Sequence, residues 1–374
     1  MAAGTEGGRG PRDGARRPTI RDVAHAAAVS PATVSNVITG RRNVDPAIRL
    51  RVTEAVDALG YRPDRVASIL RSAARSVVGA VVPELTNPFF AALVERLERE
   101  AQAAGKRLLV AASGGDPDEE EREVAALVAW RPAGVIVVPC DGRFAARALL
   151  ERDGVPFVVV DRPLLQGEAV DTVAVDNAAA AMEGARRLLE LGHRRVLVLA
   201  SSLAVSNMRE RVEGIRAIVA GLRGVDLRVV EAGFKVAGAA QLATAELERR
   251  PAPTAVFALN NVLTLATLRA TAQLGLELPR DVSLLGFDDY DWMEVFRPPL
   301  CAVRQPVAEL AQAAWRHLAA RIGPGPRSTE LEPCHVRLPC RLVWRGSVGA
   351  PPEVRIGMPP APRGAAANPG SARP

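Results

Sequence analysis

From residue 19 to residue 70 apolar side chains recur at helical spacing, whereas beyond Ser76 they gather into short unbroken runs of strand length. Ile20, Val23, Ala24 and Ala27 fall at i, i+3, i+4 and i+7 and make one face of a first helix, opened by Thr19 and Asp22 at capping-box spacing. Ser30 is placed as an N-cap and Pro31 as the first residue of a second helix, where its missing N–H costs nothing. Val34, Val37 and Ile38 are predicted to face inward, leaving Pro31, Ala32, Ser35 and Asn36 pointing out from the N-terminal half. Asp45-Pro46 opens a third helix, with Val52, Val56 and Leu59 inward and Gly60 at its end. Two helices joined by so short a turn predict a helix-turn-helix, a device for reading duplex DNA.

The major groove admits one helix, read by side chains from its first turns. Asn36 can offer paired donor and acceptor contacts to an adenine edge, while Pro31 and Ala32 can make only apolar contacts, for instance with a thymine methyl. Thr19, Ser30, Thr33 and Ser35, with the two helix N-termini, suit phosphate oxygens, which set register without carrying sequence information. Direct readout is therefore sparse.

The segments TIRDVAHAAAVSPATVSNVITG from Thr19 and VDPAIRLRVTEAVDALGYRP from Val44 resemble the headpiece of the LacI/GalR family of bacterial repressors. In that family the stretch after Tyr-x-Pro, here DRVASIL from Asp64 to Leu70, is a hinge helix that orders on operator DNA. The resemblance implies that Ala67 and Leu70 enter the minor groove, where an apolar wedge from each of two subunits kinks the duplex. Ala28 stands where the family usually has Gly; a requirement for positive φ disfavours Ala, so a slightly altered turn is expected.

Beyond Ser76 the runs Val77 to Val82, Leu108 to Ala111, Val135 to Val138, Phe157 to Val160, Val196 to Ala200, Ala255 to Leu259 and Val282 to Gly286 alternate with helical stretches such as Phe89 to Ala103 and Glu120 to Ala129. Continuous apolar strands between helices predict parallel sheets covered on both faces, and there is too much of this for one sheet. The expected fold is a small all-α helix-turn-helix headpiece plus an α/β core of two doubly wound parallel-sheet lobes. A cleft lies between their strand ends, where ligands bind. This agrees with the periplasmic-binding-protein-like core that the resemblance implies over roughly residues 19 to 347.

Polar residues at the strand ends are what such a cleft would use: Asn87 to Phe90, Asp161-Arg162, Asp176-Asn177, RERVEG from Arg209 to Gly214, Asn260-Asn261, and GFDD from Gly286 to Asp289. The last three are placed in loops. Carried over by the resemblance, Phe89 and Phe90 line the pocket, with Asp161, Arg211, Asn260 and Asp288 making polar contacts to an effector. Carboxylates, an amide and a guanidinium suit vicinal hydroxyls, which implies a sugar. Duller readings stand beside these. Asp176 is a helix cap or a site residue, Phe89 and Phe90 are core or lining, and Trp292 is a stacking platform or a dimer-surface aromatic. Arg345 is placed in the packing of a terminal strand, and Asn261 departs from an Asp common in the family.

Charge sharpens the division. The chain of 374 residues carries 48 Lys+Arg against 42 Asp+Glu, a net charge of +6. Residues 1–75 alone hold 13 Arg against 7 acidic residues, so all of the excess lies there. That is the footprint phosphate neutralisation needs, and it predicts steep salt dependence. The boundaries expected are a disordered tail over 1–17, the DNA-binding domain over 18–62, a hinge over 63–75, a two-lobed effector-binding and dimerisation domain over 76–348, and a second disordered tail over 349–374.

Four cysteines without CxxC spacing suggest no disulfide framework, and Cys334, His335 and Cys340 form too sparse a set for a closed zinc site. No G-x-G-x-x-G after a strand, P-loop or G-x-S-x-G occurs, and the four histidines show no metal or triad grouping, so no catalytic, metal or cofactor set is expected and the chain is not read as an enzyme. With no long apolar run or signal-like segment, the chain is read as cytoplasmic. The function expected is a homodimeric repressor of carbohydrate-utilisation genes, bound to a palindromic operator on double-stranded DNA and controlled by a small effector, a sugar. The alternative is a DNA-binding regulator answering to a non-sugar metabolite or a protein co-regulator.

Overall fold

The computed structural model describes residues 18–39, 44–61, 76–165, 169–322 and 332–352. The chain divides into two compact units, with the boundary between residues 74 and 75.

The first unit contains α1 (Ile20–Ala26), α2 (Pro31–Thr39) and α3 (Pro46–Ala58). Each begins where its cap predicts. The Asp22 carboxylate accepts from the backbone N–H of Thr19 at 2.7 Å, the Ser30 hydroxyl oxygen accepts from Thr33 N–H at 3.1 Å, and Asp45 accepts from Ala47 N–H at 2.8 Å. The buried core is Val23, Ala24, Ala27, Val34, Val52 and Ala55. Ile20, Val29, Val37, Ile48, Val56 and Tyr61 pack partly buried around its margin. Ile38 and Leu59, expected inward, are exposed. Leu59 lies at the C-cap of α3, beyond the last helical turn, so the helical period no longer carries it, and Ala55 takes the inward place.

The turn after α1 corrects another expectation. Ala28 adopts φ +52°, with Ala28 N–H donating to His25 O at 3.2 Å and Val29 N–H to Ala24 O at 3.0 Å. This pairing is a Schellman closure, so the turn is kept rather than altered, and Ala bears the left-handed strain itself. Ala28→Gly is expected to stabilise the headpiece by about 1 kcal/mol, read as a higher urea midpoint for the headpiece transition. An unchanged midpoint would show that Ala28 stores no strain.

Among the described residues the second unit holds two six-stranded sheets. In the first lobe β1 (Val77–Val82), β2 (Arg107–Ala112), β3 (Val135–Val137), β4 (Phe157–Val160), β5 (Thr172–Val175) and β11 (His335–Leu338) run parallel in the order β11-β5-β4-β3-β1-β2. In the second lobe β6 (Arg195–Ala200), β7 (Asp226–Glu231), β8 (Ala255–Ala258), β9 (Ser283–Phe287), β10 (Cys301–Arg304) and β12 (Arg341–Val343) take the order β12-β10-β9-β8-β6-β7, with β12 antiparallel to β10.

Helices cover both faces of each sheet. In the first lobe α4 (Pro88–Ala103) packs on one face, α5 (Pro117–Ala129) and α6 (Arg147–Arg152) on the other. In the second, α7 (Asn177–Glu190) and α8 (Ser206–Val219) oppose α9 (Val236–Glu248) and α10 (Asn261–Leu274), with the short α11 (Trp292–Val295) after β9. The last helix among the described residues, α12 (Val307–Ile322), returns to the first lobe beside α4. The chain therefore passes between lobes three times, from β5 to α7, from β10 to α12 and from β11 to β12. In each sheet the order reverses beside the first strand of that lobe, which opens a crevice at the strand C-termini.

Strands β5, β7, β10, β11 and β12 escape the sequence pattern. β7 and β11 are sheet edges whose burial alternates, so they lack the continuous apolar run that marks a central strand. The RERVEG stretch is not a loop either, but part of α8. Gly214 there serves helix packing, because a Cβ would collide with the backbone carbonyl of Ala178 on α7. Asn260 and Asn261 are the N-cap and first residue of α10, and Gly286-Phe287 end β9. Gly349, assigned to the C-terminal tail, belongs to the second lobe, since its N–H donates to Ser283 Oγ at 3.1 Å and its carbonyl bonds the ring of buried His193 at 2.9 Å.

Candidate functional site

A narrow, partly open cavity of about 50 Å³ lies between the lobes at the strand C-termini. All six residues expected at the effector site line it: Phe89, Phe90, Asp161, Arg211, Asn260 and Asp288. Each lobe contributes through the same device. Asp161 follows β4 and Asp288 follows β9, and both adopt positive φ, +66° and +73°. Their N–H groups still complete the sheet ladder, to Val173 O and Val303 O at 2.9 Å, before the left-handed turn redirects the chain at the cleft. Aspartate tolerates this conformation better than most residues.

Phe89 and Phe90 follow from Asn87, whose side chain caps α4 by accepting from Phe89 N–H at 3.1 Å. Both rings are buried and meet edge to face with centroids 5.3 Å apart, so they serve the first-lobe core and the cavity wall together. Arg162 lies over the Phe90 ring at 5.4 Å and donates from Nη1 to the carbonyls of Pro139, at 2.9 Å, and Cys140. That loop is held from behind by buried Glu120, which accepts from Cys140 N–H at 2.6 Å and whose carboxyl is pushed up by burial.

Arg211 is the central cation. Its guanidinium stacks on Phe287 at 3.5 Å, donates from Nε to Asn177 Oδ1 at 2.9 Å, and from Nη1 to Leu259 O at 2.6 Å. Asp288 is committed to the protein, accepting from Gln305 Nε2 at 2.6 Å and Asn261 N–H at 3.3 Å. Asp161 accepts from Asn207 Nδ2 of the other lobe at 2.9 Å and has Arg162 3.8 Å away. Burial raises both aspartates above the usual carboxylate range, while Arg211 draws both back down. Two buried carboxylates face two buried guanidiniums, so these four groups are balanced in charge.

Five buried polar atoms lining the cavity make no hydrogen bond to the protein: Asp161 Oδ1, Asn207 Oδ1, Gln305 Oε1, Arg162 Nε and Arg211 Nη2. Three are acceptors and two are donors, contributed by both lobes and the β10–α12 crossover. A buried polar atom left unpaired is costly, so these five have hydrogen-bonding capacity to offer a bound molecule.

Asn207, Gln305 and Phe234 were missed as lining residues. Asn207 had a signal, since it precedes Arg211 by four residues and so shares its helix face. Gln305 and Phe234 follow strands β10 and β7, which the pattern did not reveal. The exposed aromatic on the cavity is Phe234, whereas Trp292 does not line it. Asp176 caps α7 by accepting from Ala179 N–H at 2.9 Å, and Asn261 donates to Asn87 Oδ1 across the cleft at 3.3 Å. Arg345 lies past the end of β12 and braces the segment after β9 through Asp289 at 2.6 Å and Leu300 O at 2.8 Å.

On the first unit, α2 carries no charged side chain. Thr19, Ser30, Pro31, Ala32 and Ser35 are exposed, and Thr33 and Asn36 are half-buried. The Ser30 and Thr33 hydroxyls bond each other at 2.9 Å. Ala67 and Leu70 lie outside the described residues. Among the described residues no His, Cys, Asp and Glu group has the arrangement of a metal site, and no helix is long and apolar enough to cross a membrane.

Residues 19–64 match the family described as bacterial regulatory proteins, lacI family, and residues 185–348 match a periplasmic binding protein-like domain. The transcriptional regulator MalR of Streptomyces coelicolor is 34% identical, over 90% of this chain and 98% of its own. The ribose operon repressor of Haemophilus influenzae is 30% identical, over 81% and 92%. A solved complex of the transcriptional regulator CelR with cellobiose is 30% identical, covers 88% of this chain and all of its own, and superposes with a TM-score of 0.65. A helix-turn-helix with an uncharged second helix, a two-lobed core around a polar cavity, and near full-length likeness to these regulators lead to one conclusion: the chain belongs to the LacI family of DNA-binding bacterial transcriptional regulators.

Proposed function

We propose that this regulator is a homodimeric repressor of carbohydrate-utilisation genes, acting in the cytoplasm on a palindromic operator and controlled by a neutral sugar bound between the lobes. The observation that carries the sugar reading is the set of five unpaired buried atoms. Vicinal hydroxyls donate to Asp161, Asn207 and Gln305 while their oxygens accept from Arg162 and Arg211. The charge balance of Asp161, Asp288, Arg162 and Arg211 leaves no net cation for a carboxylate or phosphate. Likeness to a ribose operon repressor and to a cellobiose-bound regulator supports the same class.

The headpiece reads DNA with Asn36 on a base edge, Pro31 and Ala32 on apolar surfaces, and Thr19, Ser30, Thr33 and Ser35 on phosphates. Ala67 and Leu70 supply minor-groove wedges. A dimer matches its own symmetry to that of the operator. Sugar binding biases the angle between lobes hinged at three crossovers, and so the spacing at which the two hinge segments meet the minor groove.

The test is selection of DNA from a random pool by the full chain, followed by titration of cellobiose, D-ribose and D-glucose on the winning site. A palindromic winner whose affinity shifts with one of these sugars is expected. A non-palindromic winner overturns the dimer, and silence across a wider panel favours a protein co-regulator.

A further inference from the structure

Behind the cavity, on the side of the β5–α7 crossover, four polar side chains form one directed chain that spans the lobes. Arg337 lies on β11, the edge strand of the first lobe, opposite Ala174 of β5. It donates from Nη2 to Glu210 Oε1 and from Nη1 to Glu210 Oε2, both at 2.8 Å. Glu210 is on α8 of the second lobe, so this two-pronged ion pair crosses the boundary. Glu210 Oε2 also accepts from Asn177 Nδ2 at 2.9 Å, and Asn177 Oδ1 accepts from Arg211 Nε at 2.9 Å. Asn177 is fully buried, whereas Arg337 is 42% exposed.

The chemistry permits one arrangement of the central amide. A carboxylate only accepts and a guanidinium only donates, so Asn177 must turn its nitrogen to Glu210 and its oxygen to Arg211. Nε of Arg211 is thereby spent on Asn177 and Nη1 on Leu259, which leaves Nη2 as the cavity-facing donor. We infer that Glu210 and Arg337 are positioning residues for effector binding: through Asn177 they set the guanidinium of Arg211 toward the ligand, and they anchor it to the first lobe. This rests on the reading of the cavity as the effector site.

The experiment uses the full chain with Arg337→Gln, Glu210→Gln and the Glu210→Arg/Arg337→Glu exchange, titrated calorimetrically with cellobiose, D-ribose and D-glucose. The single variants are expected to weaken the sugar that wild type binds by about tenfold, the effect of loosening one charge-assisted hydrogen bond. Tm is expected to move by no more than about 2 °C, because a pair this exposed contributes little to global stability. The exchange separates positioning from a simple tether between lobes. It rebuilds the ion pair, but an arginine at 210 cannot accept from Asn177, so affinity stays low. Unchanged affinity in Arg337→Gln, or full recovery in the exchange, overturns the inference. If wild type binds none of the three sugars, the sugar reading fails, and hydrogen exchange on the unliganded protein decides the positioning role. Faster exchange over residues 175–179 and 205–212 in Arg337→Gln upholds it, and unchanged exchange there overturns it.

Discussion

Arg211→Met is expected to abolish the effector response and to lower core stability by about 3–5 kcal/mol near neutral pH, the cost of breaking a buried charge pair by removing one partner. Methionine keeps apolar contact with Phe287 but supplies no donor to Asn177, Leu259 or the ligand. Asp161 and Asp288 then lose the cation they share and are raised further by burial, although Arg162 still draws Asp161 down and Gln305 still draws Asp288 down. A carboxyl raised in the folded state binds protons that the unfolded chain releases. Stability from such groups is therefore greatest at low pH and falls as pH climbs from the unfolded value near 3.8 through the folded one. Losing Arg211 enlarges that fall, so the deficit should be larger at pH 8 than at pH 5 in denaturant titrations. An equal deficit at both would mean that the aspartates do not depend on Arg211.

Leu70→Ala is expected to cut the ratio of specific to non-specific DNA affinity by about a hundredfold or more, while weak salt-dependent binding persists. The reason lies in the poverty of α2, which offers Asn36 and otherwise small, uncharged groups to the bases. On the proposed reading, specificity comes largely from how readily the operator centre kinks around an apolar wedge, and alanine is too short to unstack a base step. Gel shifts on the selected operator and on random DNA, at several salt concentrations, measure both affinities. Equal loss of both would remove the wedge role from Leu70.

In the headpiece the elements are short, capped and locally specified, so Thr19, Ser30 and Asp45 each open a helix where their side chains say. Two inward placements failed there, Ile38 and Leu59, because periodicity does not show which apolar residues neighbouring helices will cover or where α3 stops. In the core, interior strands were legible as unbroken apolar runs, except the four-residue β5 and β10. Edge strands such as β7 and β11 were not, since half of their residues face solvent. The six expected cavity residues were legible through resemblance and strand-end position, yet Gln305 and Phe234 were hidden behind strands that the pattern missed.

The sequence by itself determined the helix starts of the headpiece, most of the interior strands of the core, the confinement of excess positive charge to residues 1–75, and the residue types that could meet a polyol. It could do so because caps, apolar runs and formal charge are properties of neighbours along the chain. Only the tertiary structure decided which valences remain for a ligand. Asp288 is spent on Gln305 and Asn261, and Asp176 on capping α7, whereas Asp161 and Arg211 each keep one atom free. Hydrogen-bond capacity is used up by whatever lies nearest in space, and the partners of Arg211 are brought from residues 177 and 259 by folding alone.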